Sequence, residues 1–166
     1  MRIRTFGDPV LKEESRELET IDAEVRALVK DMSGTLSEST GRVGLAAPQV
    51  GVLKRLFVYD LGHGPRCLIN PVILEGEGED TCEEGCLSFP GIYVTIPRYR
   101  KVRTSCLTPS GHRVLIEADG FPARVFQHEC DHLDGVLIID RCDIEERKRA
   151  LDEYRDIELR KTVPDA

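Results

Sequence analysis

Lys101-Val102-Arg103-Thr104-Ser105-Cys106-Leu107-Thr108-Pro109-Ser110-Gly111-His112-Arg113-Val114-Leu115 is the stretch from which the architecture is read. Val102, Thr104, Cys106 and Thr108 alternate onto one face, the period of a half-buried strand. Pro109-Ser110-Gly111 then supplies a turn into a second strand over 112–118. Upstream, residues 55–59, 67–74 and 92–96 read as further strands. The acidic stretch 75–84, with Gly76 and Gly78, reads as a solvated loop, and Ser39-Thr40-Gly41-Arg42-Val43-Gly44 as a turn-rich passage.

Helices flank these strands. Over 20–37, Val25, Leu28, Val29, Met32 and Leu36 recur at the helical period, with Thr20 or Asp22 as the cap. A second helix spans Phe121–Leu133, with Pro122 in its first turn and Gly135 just past its end. A third covers about 143–160, opened by the capping pattern Asp143-x-x-Glu146. Strands gathered between helices, without regular alternation, predict an α+β fold and not a doubly wound sheet.

The 166 residues suit one domain, expected over 1–162 with the last helix included, and a short tail at 163–166. Apolar residues make up 40%, enough for a core and too many for a disordered chain. A net charge of −7 argues against gripping nucleic-acid backbones. No apolar run approaches a membrane span, and Met1-Arg2-Ile3-Arg4-Thr5 carries no apolar signal region. A cytoplasmic protein is expected, whose six cysteines are thiols and not a disulfide framework.

The chemistry concentrates in the second helix, at Gln127-His128-Glu129-Cys130-Asp131-His132. His128 and His132 are four residues apart, so both rings leave one helix face and can hold one metal ion. Glu129 stands beside them, placed to take a proton from water at that ion. Half of the four histidines fall in this one turn, which favours a site over two surface histidines. A catalytic centre needs a third protein ligand and an open position for water. His63 and His112 sit in turn-like, solvent-facing surroundings. Glu84-Gly85-Cys86-Leu87-Ser88 is the better source, because Gly85 lets the backbone approach a small site closely. Cys82 keeps an alternative open: with Cys86 and the two histidines it would make a closed, structural zinc site.

Three segments in this order, Gly44-Leu45-Ala46-Ala47-Pro48-Gln49, Glu84-Gly85-Cys86-Leu87-Ser88 and Gln127-His128-Glu129-Cys130-Asp131-His132, resemble the three signature motifs of the peptide deformylase family. Gly7-Asp8-Pro9-Val10-Leu11 and the stretch 134–141 look similar too, so the resemblance spans most of 4–142. It implies that Cys86, His128 and His132 bind the metal and that Glu129 is the acid/base. It implies Gln49 and the backbone N–H of Leu87 as donors to the oxyanion. Cys82 then lies outside the ligand pattern, and Cys130 is expected to pack. The implied reaction removes the formyl group from the N-terminal methionine of newly made proteins, releasing formate. Its partners are the formyl-Met N-termini of nascent polypeptides. Fe(II) is the implied working ion, and Zn(II), Ni(II) or Co(II) are compatible with the same donors.

In that picture Gly44 and Leu45 bound a tight space for the formyl group. Val43, Phe121, Val125 and the His128 ring receive the methionine side chain, with plain core packing as the alternative for Phe121 and Val125. The peptide is expected to lie as an added strand. The expected architecture is antiparallel strands packed around a central HExxH helix, with an N-terminal and a C-terminal helix. Arg42 stands where the family's first motif has glycine, so a reshaped entrance is expected, strained if that position needs a positive φ. Family analogy also raises ribosome docking by the last helix, where Arg147, Lys148 and Arg149 cluster. Residues 141–161 carry seven acidic and seven basic side chains, so a solvated face is the expectation.

Overall fold

Asp22 accepts the Val25 N–H at 2.9 Å and opens helix α1 (Ala23–Ser37). The computed structural model describes residues 1–38 and 41–162; the expected tail, and Ser39 and Thr40 of the turn-rich passage, lie outside them. Strand β1 (Gly44–Ala46) follows, then a short 3-10 helix (Ala47–Val50) and β2 (Leu56–Tyr59). Next come β3 (Arg66–Glu77), β4 (Asp80–Cys86), β5 (Phe89–Arg98), β6 (Lys101–Leu107) and β7 (Arg113–Asp119). Helix α2 (Phe121–Leu133) and helix α3 (Ile144–Thr162) follow. The Asp143 carboxylate accepts the Glu146 N–H at 2.8 Å, as the capping pattern predicts.

The strands form two antiparallel sheets, one ordered β1-β2-β3-β6-β7 and the other the β4-β5 hairpin. All four residues of β2 are buried, because both faces of the larger sheet are covered. Leu56 and Val58 pack with Val25, Met32 and Leu36 of α1. Phe57 and Tyr59 face the other way, onto Phe126, Val125 and Leu133 of α2. Each such side chain contributes roughly 1.5–3 kcal/mol of burial. A third cluster joins the hairpin to α3, through Ile92, Val94 and Ile96 against Ala150 and Tyr154. The result is an α+β protein of antiparallel sheets and helices. No helix among the described residues is long and apolar enough to cross a membrane.

The stretch 75–84 departs from expectation. It is no solvated loop but the end of β3, a tight turn and most of β4. Gly78 makes the turn at φ +65°, a conformation that residues with a Cβ rarely adopt. Three of the carboxylates that suggested solvation are paired: Glu75 with Arg103 across the sheet, Asp80 with Arg124, and Glu84 with buried arginines, while Glu77, Glu79 and Glu83 are exposed. Arg42 carries no positive φ; the turn is taken by Gly41 at +88°, so the expected strain is absent.

Candidate metal centre

Alternation along β4 puts Glu84 and Cys86 on the face that meets α2, where His128 and His132 project one turn apart. The donor atoms of Cys86, His128 and His132 lie within 4.8 Å of one another, with Cys86 Sγ 3.2 Å from His132 Nε2. His128 turns its Nδ1 to Glu84 Oε2 at 2.9 Å. An ionised carboxylate only accepts, so Nδ1 carries the proton and Nε2 keeps a lone pair for the cluster.

Glu84 is itself held by a buried ionic chain. Arg98 donates to it at 2.7 and 2.9 Å, and Arg124 at 2.7 Å. Arg98 continues to Asp131 at 2.7 Å, and Asp131 accepts from Arg141 at 2.6 Å. Burial alone would raise the Glu84 pKa, but the hydrogen bonds from His128 and Arg98 outweigh it and hold the carboxyl well below the carboxylate range. Such a chain is stable only when every member is paired, and here each is.

The Cys86 sulfur accepts from the Ser88 N–H at 3.4 Å and from Gln49 Nε2 at 3.7 Å. Burial opposes its ionisation, yet the neighbouring imidazoles prevail and keep the thiol well below its ordinary pKa. Gln49 is fixed by Ala46 N–H donating to its Oε1 at 2.8 Å, while its Nε2 also reaches Ser88 Oγ at 3.2 Å. Glu129 is buried beside the cluster, and desolvation pushes its pKa up to about 6. Glu129 Oε2 and His132 Nδ1 are buried with no hydrogen-bond partner among the described residues. A Cβ built on Gly44 would overlap the Glu129 carboxylate, so only glycine lets β1 run this close.

A cavity of about 670 Å³ opens on these groups. Val43, Gly44, Gln49, Leu87, Phe121 and Val125 line it, beside Cys86, His128 and Glu129. Phe121 is largely exposed, so it belongs to the wall and not to the core, whereas Val125 serves both. The Leu45 side chain is the exception: it is fully buried under α1, away from the cavity. Cys82 is exposed and not among the converging donors, which removes the closed four-ligand alternative; His63 and His112 are exposed as well. Cys130 is buried in packing on the far side of α2. There a second hollow, lined by Arg55, Asp131 and Asp134, holds none of the candidate ligands. Glu84, Ser88, Arg98 and Asp131 are the site residues that sequence reasoning missed. For Glu84 a signal existed, since a strand that faces Cys86 inward must face Glu84 inward too.

One thiolate and two imidazoles match the softness and number of donors of a catalytic metal site, and the unpartnered Glu129 oxygen beside them fits a cation or its water. A buried glutamate next to three candidate ligands, at the floor of an open groove, is the arrangement of the class of metal-dependent hydrolases. Comparison with known proteins narrows the class. A family profile described as "Polypeptide deformylase" matches residues 1–148. A "Peptide deformylase" of Thermotoga neapolitana is 47% identical over 163 residues, covering 98% of both chains. The crystal structure of a peptide deformylase from Legionella pneumophila superposes with a TM-score of 0.90 at 36% identity, over 98% of each chain. That of Thermotoga maritima gives 0.82 at 48% identity, over 86% of this chain and 97% of the other. The chain belongs to the polypeptide deformylase family.

Proposed function

We propose that this protein removes the N-formyl group from the N-terminal methionine of newly made polypeptides and releases formate. The observation that carries the reading is the convergence of Cys86, His128 and His132 beside buried Glu129, in a chain of this family. Cys86, His128 and His132 would hold one divalent ion, which when bound supplies a Lewis acid that acidifies water and polarises a carbonyl. Fe(II) is our reading of that ion; Zn(II), Ni(II) and Co(II) suit the same donors.

The chain's own groups supply the rest. Glu129 Oε2 has no hydrogen-bond partner among the described residues, so it is the atom to take the proton of the attacking water. A pKa near 6 leaves it ionised at neutral pH and basic enough to hold that proton. It then delivers the proton to the leaving nitrogen as the C–N bond breaks, since an unprotonated amine leaves poorly. The Gln49 amide, with its oxygen pinned by Ala46 N–H, points its NH₂ into the site as a preset donor to the developing oxyanion. The Leu87 N–H is the second donor; each such donor is worth about 3–4 kcal/mol in the transition state. Gly44 and the Leu45 backbone keep the space at the reacting carbon small. Val43, Phe121, Val125 and the His128 ring form the wall for the methionine side chain, and the peptide lies as an added strand.

In this reading α2 is the central helix, residues 1–162 act as one catalytic domain, and the protein works in the cytoplasm on nascent chains. The charges of α3 largely pair with one another, as in Arg149–Glu153, Arg155–Asp152 and Lys161–Glu158, which supports a solvated face over ribosome docking. The test is formate release from a formyl-Met peptide by protein prepared without oxygen and loaded with Fe(II), beside Glu129→Gln. Turnover by the parent and near-silence from the metal-loaded variant are expected. A folded, iron-occupied parent that releases no formate would refute the assignment.

A further inference from the structure

Arg42 is an unusual residue to find at the mouth of a groove with its side chain only 24% exposed. Its Nη1 donates to the carbonyl oxygen of Thr35 at 2.8 Å, and Glu38 lies 3.9 Å away. Thr35 belongs to the last turn of α1, where the final carbonyls have no helical N–H to meet. The helix places no basic residue of its own in that turn. The Arg42 guanidinium therefore caps α1 from outside, bringing positive charge to the negative end of the helix dipole.

This cap sits immediately before the groove wall. Val43 and Gly44 are the next two residues, and both line the cavity with Arg42. Gly44 opens β1, three residues long and an edge of the larger sheet, paired among the described residues only with β2. A short edge strand has few bonds of its own to hold it. It is fixed downstream by the core and upstream, among the described residues, by the Asp60 N–H to Val43 O bond at 3.0 Å and by the Arg42 clamp.

We propose that Arg42 is a positioning residue for substrate binding: it clamps the entrance of β1 to the end of α1, so that Val43 and Gly44 stay placed for the incoming peptide. The proposal rests on the deformylase reading above. The polar partners of Arg42 among the described residues are Thr35 and Glu38, and neither is a candidate ligand or Glu129, so its effect falls on binding and leaves the chemical step alone.

The test compares parent, Arg42→Met and Arg42→Lys on a formyl-Met-Ala-Ser peptide, together with amide hydrogen exchange of the free proteins. Arg42→Met should raise KM about ten-fold, the worth of one charged hydrogen bond, with kcat changed by less than about two-fold. Lysine, which can still donate to the Thr35 carbonyl, should restore part of the affinity. Exchange at Val43, Gly44 and Leu45 should quicken in Arg42→Met while the rest of the sheet stays protected. An unchanged KM overturns the proposal. So does a parallel loss in kcat with faster exchange everywhere, because that marks a merely structural role. A parent without turnover refutes the reaction instead; selective quickening at β1, with weaker binding of the Met-Ala-Ser product peptide, then upholds the proposal, and uniform exchange overturns it.

Discussion

Replacing Glu129 by glutamine should make the metal-free protein more stable while it abolishes turnover. Glu129 is 4% exposed, and desolvation moves its pKa from the ordinary 4.5 to about 6. The unfolded chain gives up this proton first as pH rises, so folded stability declines between those two values and levels off above the higher one. A gap of that size is worth about 2 kcal/mol at pH 8 and nothing at pH 4. Glutamine keeps the shape and removes the charge. In a chain of this length 2 kcal/mol is roughly 4–8 °C of melting temperature. The assay is thermal unfolding of chelator-treated parent and variant, followed by circular dichroism at pH 8 and pH 4. A gain of about this size at pH 8 that vanishes at pH 4 is expected. Equal melting at pH 8, or the same gain at both pH values, would show that the carboxylate is not held in a desolvated place. Turnover of the iron-loaded variant should fall by about 10²–10⁴-fold, the range for a lost acid/base group.

Other perturbations exploit the same geometry. Glu84→Gln should weaken retention of the ion by about 10–100-fold in a chelator competition, because His128 loses the anionic acceptor that orients it; unchanged affinity would refute that role. Gly44→Ala should leave the fold intact by circular dichroism yet cut kcat by at least about 10², since its Cβ needs the space of the Glu129 carboxylate; a variant of parental activity would show that β1 can yield. Alkylation of the metal-loaded protein at pH 8, where the ion occupies the Cys86 thiolate, followed by mass spectrometry should label exposed Cys82 first. Buried Cys67, whose pKa is pushed up to about 12 by burial, and buried Cys106 and Cys130 should react only after unfolding; early labelling of Cys130 would contradict its packing.

The sequence was most legible where one residue decides one local structure. Pro122 at the start and Gly135 beyond the end bracket α2 to the residue, and the spacing of His128 and His132 fixes their shared face. Asp22, not Thr20, proves to be the cap of α1. β1 escaped notice because three residues, Gly44-Leu45-Ala46, are too few to show a period; its partner β2 creates it. The acidic stretch 75–84 misled for a related reason: composition reports charge but not its partner, and Arg98, Arg103 and Arg124 come from other elements. The candidate ligands stood out by residue type, whereas Glu84, Ser88 and Asp131, though inside the same motifs, gave no sign of their partners. Ser88 and Asp131 take on meaning only once the hairpin folds onto α2, and Leu45 was misplaced because adjacent residues of a strand face opposite ways.

The hairpin of β4 and β5 shares no backbone ladder with the larger sheet. It is tied to the rest by the ion pairs Glu84–Arg124 and Arg98–Asp131 to α2 and by its apolar face on α3. Cys86 sits on this hairpin and both histidines on α2, so an ion held between them would rivet the hairpin to the helix. Catalytic competence and tertiary cohesion then depend on the same atom. Removal of such an ion should loosen the hairpin first, so that activity and resistance to proteolysis fall together on chelation.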